Sequence, residues 1–238
     1  SEREELARDL DDLRRRLREA AEELKKKHEK LRRELEELAK ELRKRHEELK
    51  KELDDAARRG EPSEDLVRRI EEVIDDLHEK VRKIIEEIKR ALDKLNEDVE
   101  RLIREIKRVL DELLDKVRRR GLPKDVLKRL EDVLREIKEE LDRVLKEHKE
   151  TIKKVKDALD EILREHEEVV KKLKKELRDS KEEEVLKRIL DKLMKVSEDV
   201  LRKLEDLLRE VIELTKKVLD LLDELLKRVK KVLEEVMK

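Results

Sequence analysis

Apolar residues recur at every third or fourth position along almost the whole chain, with charged residues filling the positions between them. One such seam runs through Ile74, His78, Val81, Ile85, Ile88, Leu92, Asn96 and Val99. This spacing places the side chains on one face of an α-helix, whereas a half-buried strand would alternate at every second residue. From His78 to Asn96 the seam takes five steps over 18 residues (78 to 96), the period of a straight helix rather than a heptad repeat. We therefore predict long, nearly straight amphipathic helices.

Glycine and proline interrupt the helical pattern at two places, and a serine marks a third. Gly60 and Gly121 can each adopt the left-handed conformation that closes a helix, and the proline that follows each of them cannot continue it. Ser63 is placed to cap the next helix, and Ser180 has Glu183 three residues on, the spacing of a capping box. The breaks predict four helices, over about residues 2–59, 63–120, 123–178 and 181–238.

The three connections are short, and short connections force neighbouring helices to run antiparallel. The sequence therefore predicts an all-α fold, a single-chain up-down-up-down four-helix bundle. Because no linker interrupts the helices, we expect residues 1–238 to form a single elongated bundle.

Composition narrows the choice of partners. Charged residues make up 58% of the chain, yet 68 basic residues face 69 acidic ones, so there is no basic field for nucleic acid. Apolar runs never exceed two residues, so we expect a soluble protein without a membrane span. Aromatic residues and cysteine are absent, which removes base-stacking surfaces, disulfides and thiolate chemistry.

The uncharged polar residues are few, and those away from the loops and the N-terminus all fall on or beside the apolar seams. There are nine such residues, and eight of them form pairs that are 18 residues apart. Eighteen residues make five helical turns, so both members of a pair point the same way. The pairs are His28/His46, His78/Asn96, His148/His166 and Ser197/Thr215. Each predicted helix carries one pair.

Folding the chain at its three breaks brings the pairs into two levels. The first predicted layer collects His46, His78, His166 and Ser197. The second collects His28, Asn96, His148 and Thr215, with Thr151 one turn from His148. Each layer therefore takes one polar residue from every helix, which is the strongest signal in the sequence.

The two layers have three interpretations. Buried hydrogen-bond networks would fix helix order and register, because a slipped bundle would leave polar groups unsatisfied. Clustered imidazoles could also act as proton sensors, since protonation adds like charges and turns acceptors into donors. A metal site is disfavoured because serine, threonine and asparagine are weak ligands and no Glu-x-x-His motif supplies carboxylates. We expect no metal at these positions.

Enzyme chemistry finds no support in the sequence. No glycine-rich loop could hold phosphate, and Ser197 has a histidine in its layer but no turn that would form an oxyanion hole. We expect no catalytic residue, no cofactor and no small-molecule substrate.

The fourth predicted helix carries a second apolar stripe at heptad spacing, which includes Leu186, Leu193, Val200, Leu207, Leu214 and Leu221. The first helix, in contrast, has a narrow face of leucine and alanine. A wide apolar arc indicates burial by more than two neighbours or a docking face. The residues Leu207, Leu214 and Leu221 are the candidate docking stripe, for a second copy of the chain or for a partner helix.

Taken together, the helix-closing signals at Gly60 and Gly121, the 18-residue polar pairs and the absence of aromatic residues, cysteine and glutamine mark a resemblance that covers the whole chain. The sequence resembles de novo designed, parametrically generated helical bundles with buried hydrogen-bond networks. Natural bundles such as spectrin-type repeats usually carry aromatic residues and irregular caps. The resemblance implies a structural scaffold without a natural substrate. The alternative is an interaction or pH-responsive module.

Overall fold

The computed structural model describes residues 2–60 and 64–236, and the side chains of residues 4–60 and 64–235. Four long helices account for nearly all of this part of the chain: α1 (Glu2–Arg59), α2 (Glu64–Arg119), α3 (Lys124–Asp179) and α4 (Glu183–Val236). They pack against one another, and no strand occurs among the described residues. The predicted all-α four-helix bundle is confirmed. The expected cap at Ser63 lies outside the described residues.

The ends of the helices follow the local signals closely. Gly60 and Gly121 have φ values of 64° and 67°, the left-handed region in which an L side chain would be strained. The start of α4 differs from the prediction, because Ser180 Oγ accepts a hydrogen bond from the backbone N–H of Glu182 at 3.4 Å rather than from that of Glu183. The helix consequently begins at Glu183, two residues later than expected.

By their internal contacts the residues fall into two compact units, and the division lies inside all four helices. Unit 1 contains residues 1–27, 92–154 and 210–238. Its core is a cluster of buried leucine, isoleucine and valine from all four helices, such as Leu10, Ile106, Leu141 and Leu222. Ion pairs between α1 and α2, α2 and α3, and α1 and α4 border this core, for example Lys116 with Glu5, Arg118 with Glu131, and Arg14 with Asp223.

Unit 2 contains residues 28–91 and 155–209. Ion pairs show the direction of its helices, because residue numbers rise along one helix as they fall along its partner. On α1 and α2 the pairs are Glu41 with Lys80, Arg45 with Asp76, and Glu52 with Arg69. On α3 and α4 they are Glu165 with Lys203 and Glu176 with Lys192. These neighbouring helices are antiparallel, as their short connections require.

The second apolar stripe of α4 divides into two parts. Leu186, Leu193 and Val200 are buried, so this part of the stripe belongs to the core. The candidate docking residues Leu207, Leu214 and Leu221 are half-buried. Leu221 packs against the core cluster of unit 1. The docking stripe is therefore partly covered by the chain's own helices.

Truncation of neighbouring leucines measures this difference in burial. We expect Leu222→Ala, at a fully buried position, to lower the free energy of unfolding by about 2–5 kcal/mol. Leu221→Ala should cost less, about 1 kcal/mol, because its side chain is only half-buried. Denaturant titration followed by far-ultraviolet circular dichroism gives both values. An equal cost at the two positions would contradict the difference in burial. A cost for Leu221→Ala that grows with protein concentration would indicate an interface between copies of the chain.

Candidate functional site

The nine polar residues of the predicted layers differ in burial according to their helix. His148 and His166 on α3, and Ser197 and Thr215 on α4, are buried. The remaining five, on α1, α2 and α3, are only half-buried: His28, His46, His78, Asn96 and Thr151. Layers buried at every position would have all nine side chains buried, and these five are not. Helices α3 and α4 hold the interior of the site, and α1 and α2 contribute side chains at its edge.

In unit 1, His148 lies between residues of two other helices. Its Nδ1 is 3.3 Å from Oδ1 of Asn96 on α2, and its Nε2 is 3.4 Å from Oγ1 of Thr215 on α4. Both distances are long for hydrogen bonds, which are commonest near 2.9–3.0 Å. One imidazole thus joins three helices, as the predicted second layer requires of these residues.

The positions of the protons in this cluster follow from counting its hydrogen-bond donors. The hydroxyl of Thr215 donates to the carbonyl oxygen of Val211 at 2.9 Å, so it can only accept from His148. Burial lowers the pKa of His148 to about 4, so the ring is neutral at pH 7 and has a single N–H. That proton belongs on Nε2, and Nδ1 then needs a donor. A half-turn of the Asn96 amide, which exchanges its oxygen and nitrogen, supplies one.

Thr151, the additional residue of this predicted layer, makes its hydrogen bond within its own helix. The hydroxyl of Thr151 donates to the carbonyl oxygen of Glu147, 3.0 Å away on its own helix. A threonine four residues after a carbonyl commonly makes this bond within a helix. His28, half-buried on α1, falls in unit 2, whereas Asn96, His148 and Thr215 belong to unit 1.

In unit 2, two histidines meet directly. Nδ1 of His78 on α2 is 2.9 Å from Nδ1 of His166 on α3. Their ring centres are 5.1 Å apart and their planes differ by 9°. This centre-to-centre distance is about what two rings joined end to end through their nitrogens require, and it is long for face-to-face contact. The rings therefore share an N–H···N hydrogen bond in nearly one plane.

The far side of His166 faces the interior. Its Nε2 is buried, and so is Oγ of Ser197 on α4, and neither atom has a hydrogen-bond partner within the described residues. Burial, and after it the positive charge that His78 can carry, lowers the pKa of His166 to about 4. His166 is accordingly neutral at pH 7.

His46, the fourth residue of the predicted first layer, has a different partner. Its Nε2 is 3.0 Å from Oδ1 of Asp191 on α4, an oxygen that also lies 2.7 Å from Nζ of Lys50. The hydrogen bond from Lys50, and after it that from His46, lowers the pKa of Asp191 against the opposing effect of burial. His46 therefore belongs to a charged cluster at the edge of unit 2.

Two carboxylates at the site were missed by the sequence reasoning. Asp191 holds His46, and Oε1 of Glu167 lies 3.8 Å from Nε2 of His78. Both residues belong to the charged rows beside the apolar seams, which look alike along the whole chain. Aligning these charged rows from helix to helix, as was done for the polar residues, is the signal that could have found them.

Three further findings bear on function. Residues 2–60 and 64–236 contain no group of three or more histidine, cysteine, aspartate or glutamate side chains that could hold a metal ion. Among the described helices, none combines the length and the apolar character that a membrane span needs. The chain matches no known protein-family model, no curated protein and no solved structure.

The two buried histidines make stability depend on pH. Their folded-state pKa of about 4 lies below the unfolded value of about 6.5, so the unfolded chain binds protons first. Stability is full above about pH 6.5 and falls as the pH approaches 4, by about 3 kcal/mol for each histidine. Denaturant midpoints measured across this range should fall more steeply for the original chain than for the variant His148→Asn/His166→Asn. Parallel curves for the two proteins would contradict the assignment.

Proposed function

We propose that the chain is a designed structural scaffold without enzymatic activity, in which buried polar side chains fix the register of apolar helices. The absence of aromatic residues, cysteine and glutamine, and the regular placement of polar pairs, support a designed origin. The geometry around His148 supports the role in register.

The contact of His148 with Asn96 and Thr215 is the observation that carries this proposal, because it ties three helices together at one level. Leucine, isoleucine and valine contacts are non-directional, and they change little when one helix slides along another by two turns. A polar contact is lost after the same shift. Each buried donor or acceptor that is left unsatisfied then costs about 1–3 kcal/mol.

The contact between His78 and His166 has the same consequence in unit 2. Its Nδ1–Nδ1 distance of 2.9 Å requires both imidazoles to be level, with one ring donating and the other accepting. Sliding α2 along α3 would leave His166 buried with both nitrogens unpaired. Each unit therefore carries its own directional contact between α2 and α3.

A pH-responsive module is the second candidate function, supported by the neutral buried state of His148 and His166. Protonating either ring would place a charge in an apolar interior. Self-association through Leu207, Leu214 and Leu221 has less support, because these side chains are half-buried. Among the described residues, Val126 is the only large apolar residue that counts as exposed, and its exposed fraction is 38%.

Removing all the polar groups of one cluster tests the role in register without leaving an orphaned partner. In the variant Asn96→Leu/His148→Leu/Thr215→Val, we expect thermal stability to hold or rise, because apolar residues often replace buried polar networks without loss. We also expect slipped or associated forms to appear. Size-exclusion chromatography with light scattering measures the associated forms.

Crosslinking measures the slipped forms, and the absence of native cysteine makes it specific. Lys107 on α2 contacts Asp142 on α3, so cysteines at these two positions should be joined by a short thiol crosslinker. Cysteines at Lys107 and Arg135, two turns away, are the matched control. The second pair should react more in the apolar variant than in the original background. Unchanged crosslinking together with an unchanged mass would contradict the proposal.

A further inference from the structure

The helices are aligned in the same way in the two polar clusters. The proton positions in one cluster can therefore be compared with those in the other. His166 lies 18 residues from His148 on α3 (148 to 166), and its neighbours are displaced by the same number on the antiparallel helices. Thus His78 corresponds to Asn96 (78 to 96), and Ser197 corresponds to Thr215 (197 to 215). The contacts confirm the match between α2 and α3, because His166 meets His78 as His148 meets Asn96.

This correspondence favours His78 as the donor in the histidine pair. His148 directs Nε2–H toward the hydroxyl of Thr215. The corresponding atoms in unit 2 are Nε2 of His166 and Oγ of Ser197, which are both buried and have no hydrogen-bond partner within the described residues. A neutral His166 with its proton on Nε2 has a lone pair on Nδ1. His78 must then donate from its own Nδ1 across the 2.9 Å contact. In this arrangement His78 donates to His166, and the Nε2–H of His166 points into the buried interior.

In this arrangement the environment of Nε2 of His78 is unfavourable unless a further proton is bound there. With its proton on Nδ1, a neutral His78 presents a lone pair at Nε2, which faces the carboxylate oxygen of Glu167 at 3.8 Å. Two acceptors that face each other repel, and a proton between them changes the repulsion into an ion pair. We propose that Nε2 of His78 and the carboxylate of Glu167 form a proton-binding site beside the hydrogen bond between His78 and His166. This inference rests on the hydrogen-bonded layer of the proposed function.

The other charged groups around His78 are already paired. From α1, Arg45 binds Asp76 and Glu41 binds Lys80, the residues two positions on either side of His78. On α2 itself Glu79 is bound by Arg82, and from α3 Lys174 binds Asp75. From α4, Asp191 is held by Lys50 and His46. Glu167 is thus the carboxylate whose contact is directed at His78.

The position of the site determines what the first proton does. Protonation at Nε2 leaves the Nδ1–H of His78 in place, so the hydrogen bond to His166 persists and becomes charge-assisted, which strengthens it. A second proton, on Nδ1 of His166, would remove the acceptor and break the contact. Unit 1 lacks this first step, because the equivalent of His78 is Asn96, which does not titrate.

Imidazole nitrogen resonances of the folded, ¹⁵N-labelled chain report both parts of the proposal. At neutral pH we expect a proton on Nδ1 of His78 and a proton on Nε2 of His166, with resonances assigned from the variants His78→Asn and His166→Asn. On acidification, Nε2 of His78 should take up its proton while His166 stays neutral and the fold is unchanged. The reverse pair of tautomers, or protonation of His166 before His78, would overturn the proposal.

The carboxylate is tested by a matched pair of variants. Glu167→Gln should move protonation of His78 to lower pH, whereas Glu168→Gln, at an exposed neighbouring position, should leave it where it is. Equal behaviour of the two variants would remove Glu167 from the site. These measurements use variants that keep the native helix register. Their failure can therefore be distinguished from failure of the scaffold proposal, which is tested by crosslinking of slipped forms.

Discussion

A buried, neutral imidazole has one N–H and one lone pair, and the arrangement of both polar clusters depends on where that proton lies. In unit 1 the hydroxyl of Thr215 is committed to the carbonyl of Val211, so the proton of His148 must be on Nε2. This assignment then fixes the orientation of the Asn96 amide. The hydrogen bonds across the three helices thus run in one direction, because the Thr215 hydroxyl has a single proton to donate.

The two clusters differ in the residue that α2 contributes. Asn96 is always neutral, so unit 1 loses its polar contacts only when the interior ring itself is protonated. His78 can carry a charge, and it stands between a buried ring and a half-exposed carboxylate. The same register therefore supports a purely structural contact in one unit and a proton-binding contact in the other.

The distribution of burial explains how such groups are accommodated among apolar neighbours. The interior positions are occupied by His148, His166, Ser197 and Thr215, small or flat side chains that can form hydrogen bonds while neutral. His46 on α1 and His78 on α2 are half-buried and close to carboxylates. Charge is thus kept at the edge of the helix pairs, where water and counter-charges lower its cost.

The sequence by itself determined the four helices and the residues that would share a level, because apolar period, glycine position and chain reversal are local or nearly local constraints. It predicted that Asn96, His148 and Thr215 lie together and that His78 lies level with His166. Only the tertiary structure decided that His46 turns to Asp191 and that the Thr151 hydroxyl bonds to Glu147. Helical position specifies a level and a face, but rotamers and competing partners depend on neighbouring helices. In a chain with 58% charged residues, those competing partners lie beside every seam.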